Sequence, residues 1–161
     1  MGGELIVSPR PASRHALASS AVAAAIGGPF GFGIGGPGGW VILNEPELHL
    51  RDDVVVPDLA GWRRERMPEF PDVPFFTLAP DWICEVLSPS TSRMDRGRKF
   101  DVYAREGVRH AWLVEPLAKV LEVFELREGF WVRLAAYTDD AVVRVPPFEA
   151  LELPLGLLWP G

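Results

Sequence analysis

Residues 82–87 read Trp82-Ile83-Cys84-Glu85-Val86-Leu87. In a strand, successive side chains point to opposite faces. Trp82, Cys84 and Val86 then share one face, and Ile83, Glu85 and Leu87 the other. Both faces are apolar apart from Glu85, which marks a central strand covered on both sides. An unpaired carboxylate buried there costs several kcal/mol at least, so something must compensate it. A partner arginine is one solution, and a shared cation is another.

A second acid poses the same problem. Val54 to Trp62 is an apolar, β-branched run in which Asp58 is the single charge. Pro57 removes a ladder donor beside it, which implies an edge or a bulge that aims the neighbouring side chain. Two such acids in separate strands favour a shared divalent cation. Mg²⁺ or Mn²⁺ suits carboxylates plus water.

Around these strands the pattern is mixed. Ser13 to Ile26 reads as a helix capped by Ser13. Gly27 to Gly39 holds eight glycines in thirteen residues and reads as a mobile hairpin loop. Glu4 to Val7, Trp40 to Leu43, Glu47 to Leu50 and Arg109 to Val114 read as strands. Asp95 to Glu106 reads as a helix, with Asp95 as cap and Gly107 as stop. Lys119 to Leu126 and Phe130 to Thr138 form a hairpin across Arg127-Glu128-Gly129. The tail holds one or two short strands and a turn near Leu157. The sum is one α/β domain over residues 1–161 with one central mixed sheet.

Composition bounds the function. The formal net charge is −6, so bulk charge does not coat nucleic acid. The single cysteine, Cys84, excludes an internal disulfide and a four-cysteine zinc site. No apolar run reaches the roughly 18 residues of a membrane span, and no signal peptide precedes the domain. A cytoplasmic protein with no membrane contact is expected. Gly31-x-Gly33-x-x-Gly36 matches a dinucleotide fingerprint by letter, but it follows no strand and opens no helix.

The blocks in order are Val56-Pro57-Asp58, then Glu85-Val86-Leu87-Ser88-Pro89-Ser90, then Asp95-Arg96-Gly97-Arg98-Lys99, Tyr103-Ala104-Arg105-Glu106-Gly107-Val108 and Trp112-Leu113-Val114-Glu115-Pro116. This combination resembles the bacterial "putative restriction endonuclease" family, the Uma-type branch of the PD-(D/E)XK nuclease superfamily, over nearly the whole chain. The resemblance implies a restriction-endonuclease-like mixed β-sheet flanked by helices. It makes Asp58 the acid of the PD motif and Glu85 that of the (D/E)XK motif, both metal ligands together with the Val86 carbonyl. Leu87 stands where the pattern has lysine, and Lys99 on the next helix is its replacement. The related proteins carry an extra N-terminal helix before a Gly-Glu-Leu strand, whereas this chain begins Met1-Gly2-Gly3-Glu4-Leu5.

Several residues surround this constellation. Glu47, His15 and Tyr103 are candidates to support the acids. Glu47 shares a strand face with His49, and an exposed face is its plainer reading. His15 near a helix start reads as an ordinary polar residue unless the superfamily pattern applies. Basic residues gather at Arg63, Arg64 and Arg66, and at Arg93, Arg96, Arg98, Lys99 and Arg105. Arg93, Arg96 and Arg98 are candidate phosphate contacts. Trp62, Phe75 and Phe76 either stack on bases or cap the core. The expected activity is Mg²⁺- or Mn²⁺-dependent hydrolysis of DNA, with a homodimer implied for a double-strand cutter. The alternative is a non-catalytic nucleic-acid- or protein-binding module that keeps the nuclease-like fold.

Overall fold

The computed structural model describes residues 13–88 and 93–160. The predicted strand over residues 4–7 lies outside them. Helix α1 spans Ser13–Ile26. Strands follow at Trp40–Asn44 (β1), Leu48–Leu50 (β2), Asp53–Val55 (β3), Leu59–Arg63 (β4) and Trp82–Val86 (β5). Helix α2 covers Arg93–Arg105. Then come His110–Glu115 (β6), Val120–Arg127 (β7), Phe130–Thr138 (β8), Val142–Val143 (β9) and Leu153–Pro154 (β10).

Six strands form one sheet in the order β1-β4-β5-β6-β7-β8. Only β5 and β6 run parallel, and α2 connects them. A parallel pair needs such a crossover, whereas every other neighbour is reached through an antiparallel connection. The fold is therefore mixed α/β, as expected. β2 with β3, and β9 with β10, form two small ribbons beside the main sheet.

The sheet separates two apolar clusters. On the α1 side, Ala18, Val22 and Ile26 repeat at helical spacing and meet Trp82, Cys84, Val86, Trp112 and Phe148. On the α2 side, Val102 and Tyr103 meet Ile83, Ala111 and Trp62. The strict alternation of β5 thus delivers Trp82, Cys84 and Val86 to one layer and Ile83 to the other. Burial pushes the Cys84 thiol well above its ordinary pKa, which fits an inert core position.

Three details depart from the sequence reading. The run from Val54 to Trp62 is not one strand. β3 ends at Val55, Pro57 is buried in the turn, and β4 starts at Leu59. Proline's missing N–H makes continuous pairing impossible there. The glycine-rich segment is not a loop throughout, because Gly27–Gly31 continues α1 as a π-helical turn. Phe30 anchors that turn at 4.7 Å from the Phe148 ring. Gly36 packs so closely on Pro29 that a Cβ would lie 2.5 Å from the proline Cβ. The fingerprint-like glycines thus follow a helix and lead into a strand, the reverse of a dinucleotide turn. Helix α2 begins at Arg93, so position 95 lies inside it and not at the N-cap position. Gly107 ends that helix as expected, at φ 78°, with Val108 N–H donating to the Tyr103 carbonyl at 3.0 Å.

Candidate functional site

The antiparallel register pairs Leu59 with Cys84. One step further along the ladder, Asp58 therefore falls beside Glu85. Each carboxylate accepts a backbone N–H from the other strand's segment. The Asp58 N–H donates to Glu85 Oε1 at 3.2 Å, and the Val86 N–H donates to Asp58 Oδ2 at 2.7 Å. The Asp58 carbonyl still accepts from the Glu45 N–H at 2.9 Å, one step beyond the β1–β4 pairs, and the turn at Pro57 leaves its carboxylate at the end of β5.

Two residues from α2 reach Glu85. Lys99 Nζ lies 3.0 Å from Glu85 Oε2 and donates to the Val56 carbonyl at 2.9 Å. Tyr103 Oη donates to the same Glu85 oxygen at 3.4 Å, a long contact. Phe100 and Tyr103 pack inward on this side of the sheet, so the register directs Lys99 toward the carboxylates with its stem along the apolar wall. From the other side of the sheet, His15 of α1 places Nε2 3.3 Å from Asp58 Oδ1. Its Nδ1 is buried with no hydrogen-bond partner among the described residues.

Burial dominates the electrostatics. The Glu85 side chain is 7% exposed. Desolvation raises its pKa, Lys99 opposes that shift, and the nearby Asp58 adds to it. Tyr103 is held well above its usual value, first by burial and then by the negative Glu85, so its hydroxyl stays protonated and donates.

These groups line a cleft of about 440 Å³. One wall is the β3 segment from Asp53 to Val56, and the other is α2 with Arg96, Arg98 and Lys99. The β2–β3 ribbon is tied to the end of α2 by Arg105, which holds Asp53 at 2.7 Å and the Leu50 carbonyl at 3.1 Å.

Hard carboxylate oxygens at an open cleft suit Mg²⁺ or Mn²⁺. Among the described residues no group of three or more His, Cys, Asp or Glu side chains is arranged to hold a metal. Asp58 and Glu85 would be the acids available to such an ion, with water and phosphate oxygens to complete a shell, a common Mg²⁺ arrangement.

Of the predicted site residues, Asp58, Glu85, Val86, Lys99, Tyr103 and His15 come together, with Arg96 and Arg98 on the same rim. Glu47 does not. It is half exposed and hydrogen-bonds His49 at 2.7 Å, outside the cleft lining. Arg93 is exposed and also outside that lining. The earlier basic cluster is absorbed by the fold. Arg63 lies over the Trp40 ring, Arg64 bonds the Trp40 carbonyl, and Arg66 pairs with Asp81. Trp62 and Phe76 are core residues, and Phe75 stacks on His49. The contributions that side-chain patterns cannot reveal are backbone ones, the Val56 carbonyl and the Val86 N–H.

The family model described as "Uma2: Putative restriction endonuclease" matches residues 1–156. The chain belongs to the Uma2 family. Its fold is similar to that in a crystal structure of "a putative nuclease belonging to DUF820" from Anabaena variabilis. The TM-score is 0.71 at 22% identity, over 99% of this chain and 87% of that one. Comparison with curated proteins returns no match. In this Uma2-family chain the described residues include no helix long and apolar enough to cross a membrane.

Proposed function

We propose that the chain is a divalent-metal-dependent endonuclease that hydrolyses phosphodiester bonds in DNA, with Asp58 and Glu85 as metal ligands and Lys99 as the catalytic cation. The single observation that carries this reading is the convergence of Lys99 on Glu85 from α2. Leu87 supplies no cation at the end of β5, and the helix supplies one from the other side of the same cleft. A non-catalytic module would keep the same contact as a structural ion pair, and the cleavage test separates the two readings.

Mg²⁺ or Mn²⁺, when bound, supplies a water of lowered pKa and neutralises charge on the phosphate. The protein does the rest. The backbone clasp between Asp58 and Val86 fixes the first carboxylate. Tyr103 and the Asp58 N–H hold the second in one rotamer. Lys99, anchored by the Val56 carbonyl, keeps an ammonium where negative charge develops on the phosphate oxygens. Arg96 and Arg98 on the rim offset the repulsion between DNA and a protein of net charge −6.

The test is Mn²⁺-dependent cleavage of plasmid DNA by wild type and Glu85→Ala. Nicking or linearisation by wild type, abolished in the variant, is expected. Intact plasmid with both proteins, across Mg²⁺ and Mn²⁺, overturns the proposal.

A further inference from the structure

Beside the acidic cleft lie two smaller depressions. One, of about 260 Å³, is lined by Leu87, Ser88, Arg96, Glu115, Pro116 and Leu117. The other, of about 220 Å³, involves Arg14, His15, Leu87, Pro116 and Leu117. Leu87 borders all three hollows, Arg96 joins the cleft to the first, and His15 joins it to the second. The shared residues set the three hollows side by side as a trough along the end of β5, from the carboxylates to the turn between β6 and β7.

We propose that the Leu87–Pro116–Leu117 end of this trough is a subsite for a single unpaired DNA base adjoining a phosphate that a divalent cation at Asp58 and Glu85 would hold. The inference rests on the nuclease reading and names its substrate class as DNA with unpaired nucleotides. Leu117 is 64% exposed, an apolar side chain facing solvent at the mouth of a mostly apolar hollow. Leucine and proline side chains pack against the flat faces of bases wherever a base leaves its stack. The basic group sits at the junction: a phosphate beside Arg96 directs its attached base into the hollow. Glu115 gives the rim one acceptor, which matches the exocyclic amine of a base. A hollow of this size takes one base and no base pair. A duplex must extrude a nucleotide to fill it, whereas a single strand presents one without unpairing.

The experiment uses the full chain, Leu117→Ser, and Leu157→Ser as a control at an exposed leucine outside the trough. The probes are a fluorophore-labelled single-stranded oligodeoxynucleotide and its perfect duplex. Binding is read by anisotropy in Ca²⁺, cleavage in Mn²⁺, and folding by melting temperature. Wild type is expected to bind the single strand at least about fivefold tighter than the duplex. Leu117→Ser loses about that factor on the single strand alone, with unchanged melting, and Leu157→Ser behaves as wild type. If wild type and Leu117→Ser bind the single strand equally, or wild type prefers the duplex, the subsite is overturned even where Mn²⁺ cleavage stands. If the expected binding pattern is found with no cleavage of either probe, the subsite stands and the nuclease reading falls.

Discussion

The two faces of β5 carry alternate residues of one short strand and have opposite characters. Toward α1, Trp82, Cys84 and Val86 join a dry layer in which Trp82 lies 5.2 Å from Trp112 and 4.9 Å from Phe148. Toward α2, Ile83 is core, but Glu85 two residues later opens the layer to a cleft with Lys99, Tyr103 and Asp58. The first face holds the fold together by apolar burial and aromatic packing. The second gives up that burial to hold a carboxyl group out of water, which raises its pKa against the opposing pull of Lys99. Stability and chemistry are thus assigned to opposite sides of the same five residues, and substitutions on the two sides should differ in sign as well as size.

The largest expected effect lies on the dry face. Trp112 is fully buried, and its indole N–H donates to the Pro146 carbonyl at 2.7 Å. Trp112→Ala should lower stability by about 3–5 kcal/mol in urea unfolding, with the remaining aromatics unable to close the cavity. A loss below about 1 kcal/mol would mean that the aromatic layer is not what anchors the sheet.

On the cleft face, added metal should stabilise. At a Mn²⁺ concentration about a hundredfold above Kd, binding contributes about 2.7 kcal/mol by mass action. The melting temperature of wild type should rise with Mn²⁺, and that of Asp58→Asn should not respond. Asparagine retains an oxygen for the Val86 N–H, so the metal-free variant should melt at least as high as metal-free wild type. Equal Mn²⁺ responses in the two proteins would move the metal away from Asp58.

Glu85→Gln sharpens the comparison through pH. The folded pKa of Glu85 is raised by burial from the ordinary 4.5. Between the unfolded and folded values the native state holds more protons, so wild-type stability falls as pH rises through that window. Glutamine removes the ionisation. In metal-free buffer the variant should therefore gain on wild type from pH 4 to pH 8 in thermal melts. A gap that narrows with rising pH would contradict the raised pKa. The smallest effect is expected outside both layers: Glu47→Ala, which removes an exposed contact to His49, should change stability by less than about 0.5 kcal/mol and leave cleavage unaltered.

Much of this division was legible in the residues. A lone glutamate in an alternating apolar strand announces both its burial and the side it faces, and a proline before an aspartate announces an edge or a bulge that aims the acid. What remained hidden depends on contacts between distant segments. Nothing in Glu47 distinguishes it from a ligand until the ribbon of β2 and β3 is seen to turn it outward. The arginines of 63–66 look like a phosphate rim until Trp40 and Asp81 are seen to engage them. The π-helical turn after α1 was masked by its glycines, because its order comes from Phe30 against Phe148 and not from local propensity. Backbone donors and acceptors, such as Val86 and Val56 at the site, leave no trace in a side-chain pattern.

The most direct measurement of the central claim is the cleavage rate of Lys99→Ala under Mn²⁺ saturation, with the Mn²⁺-induced melting shift recorded on the same sample. Lys99 is one-third exposed and its proposed work is in the transition state. The expected result is a retained melting shift with plasmid cleavage reduced at least about a hundredfold. Cleavage at the wild-type rate in a variant that still binds Mn²⁺ would contradict the assignment of catalysis to the Asp58–Glu85–Lys99 cleft.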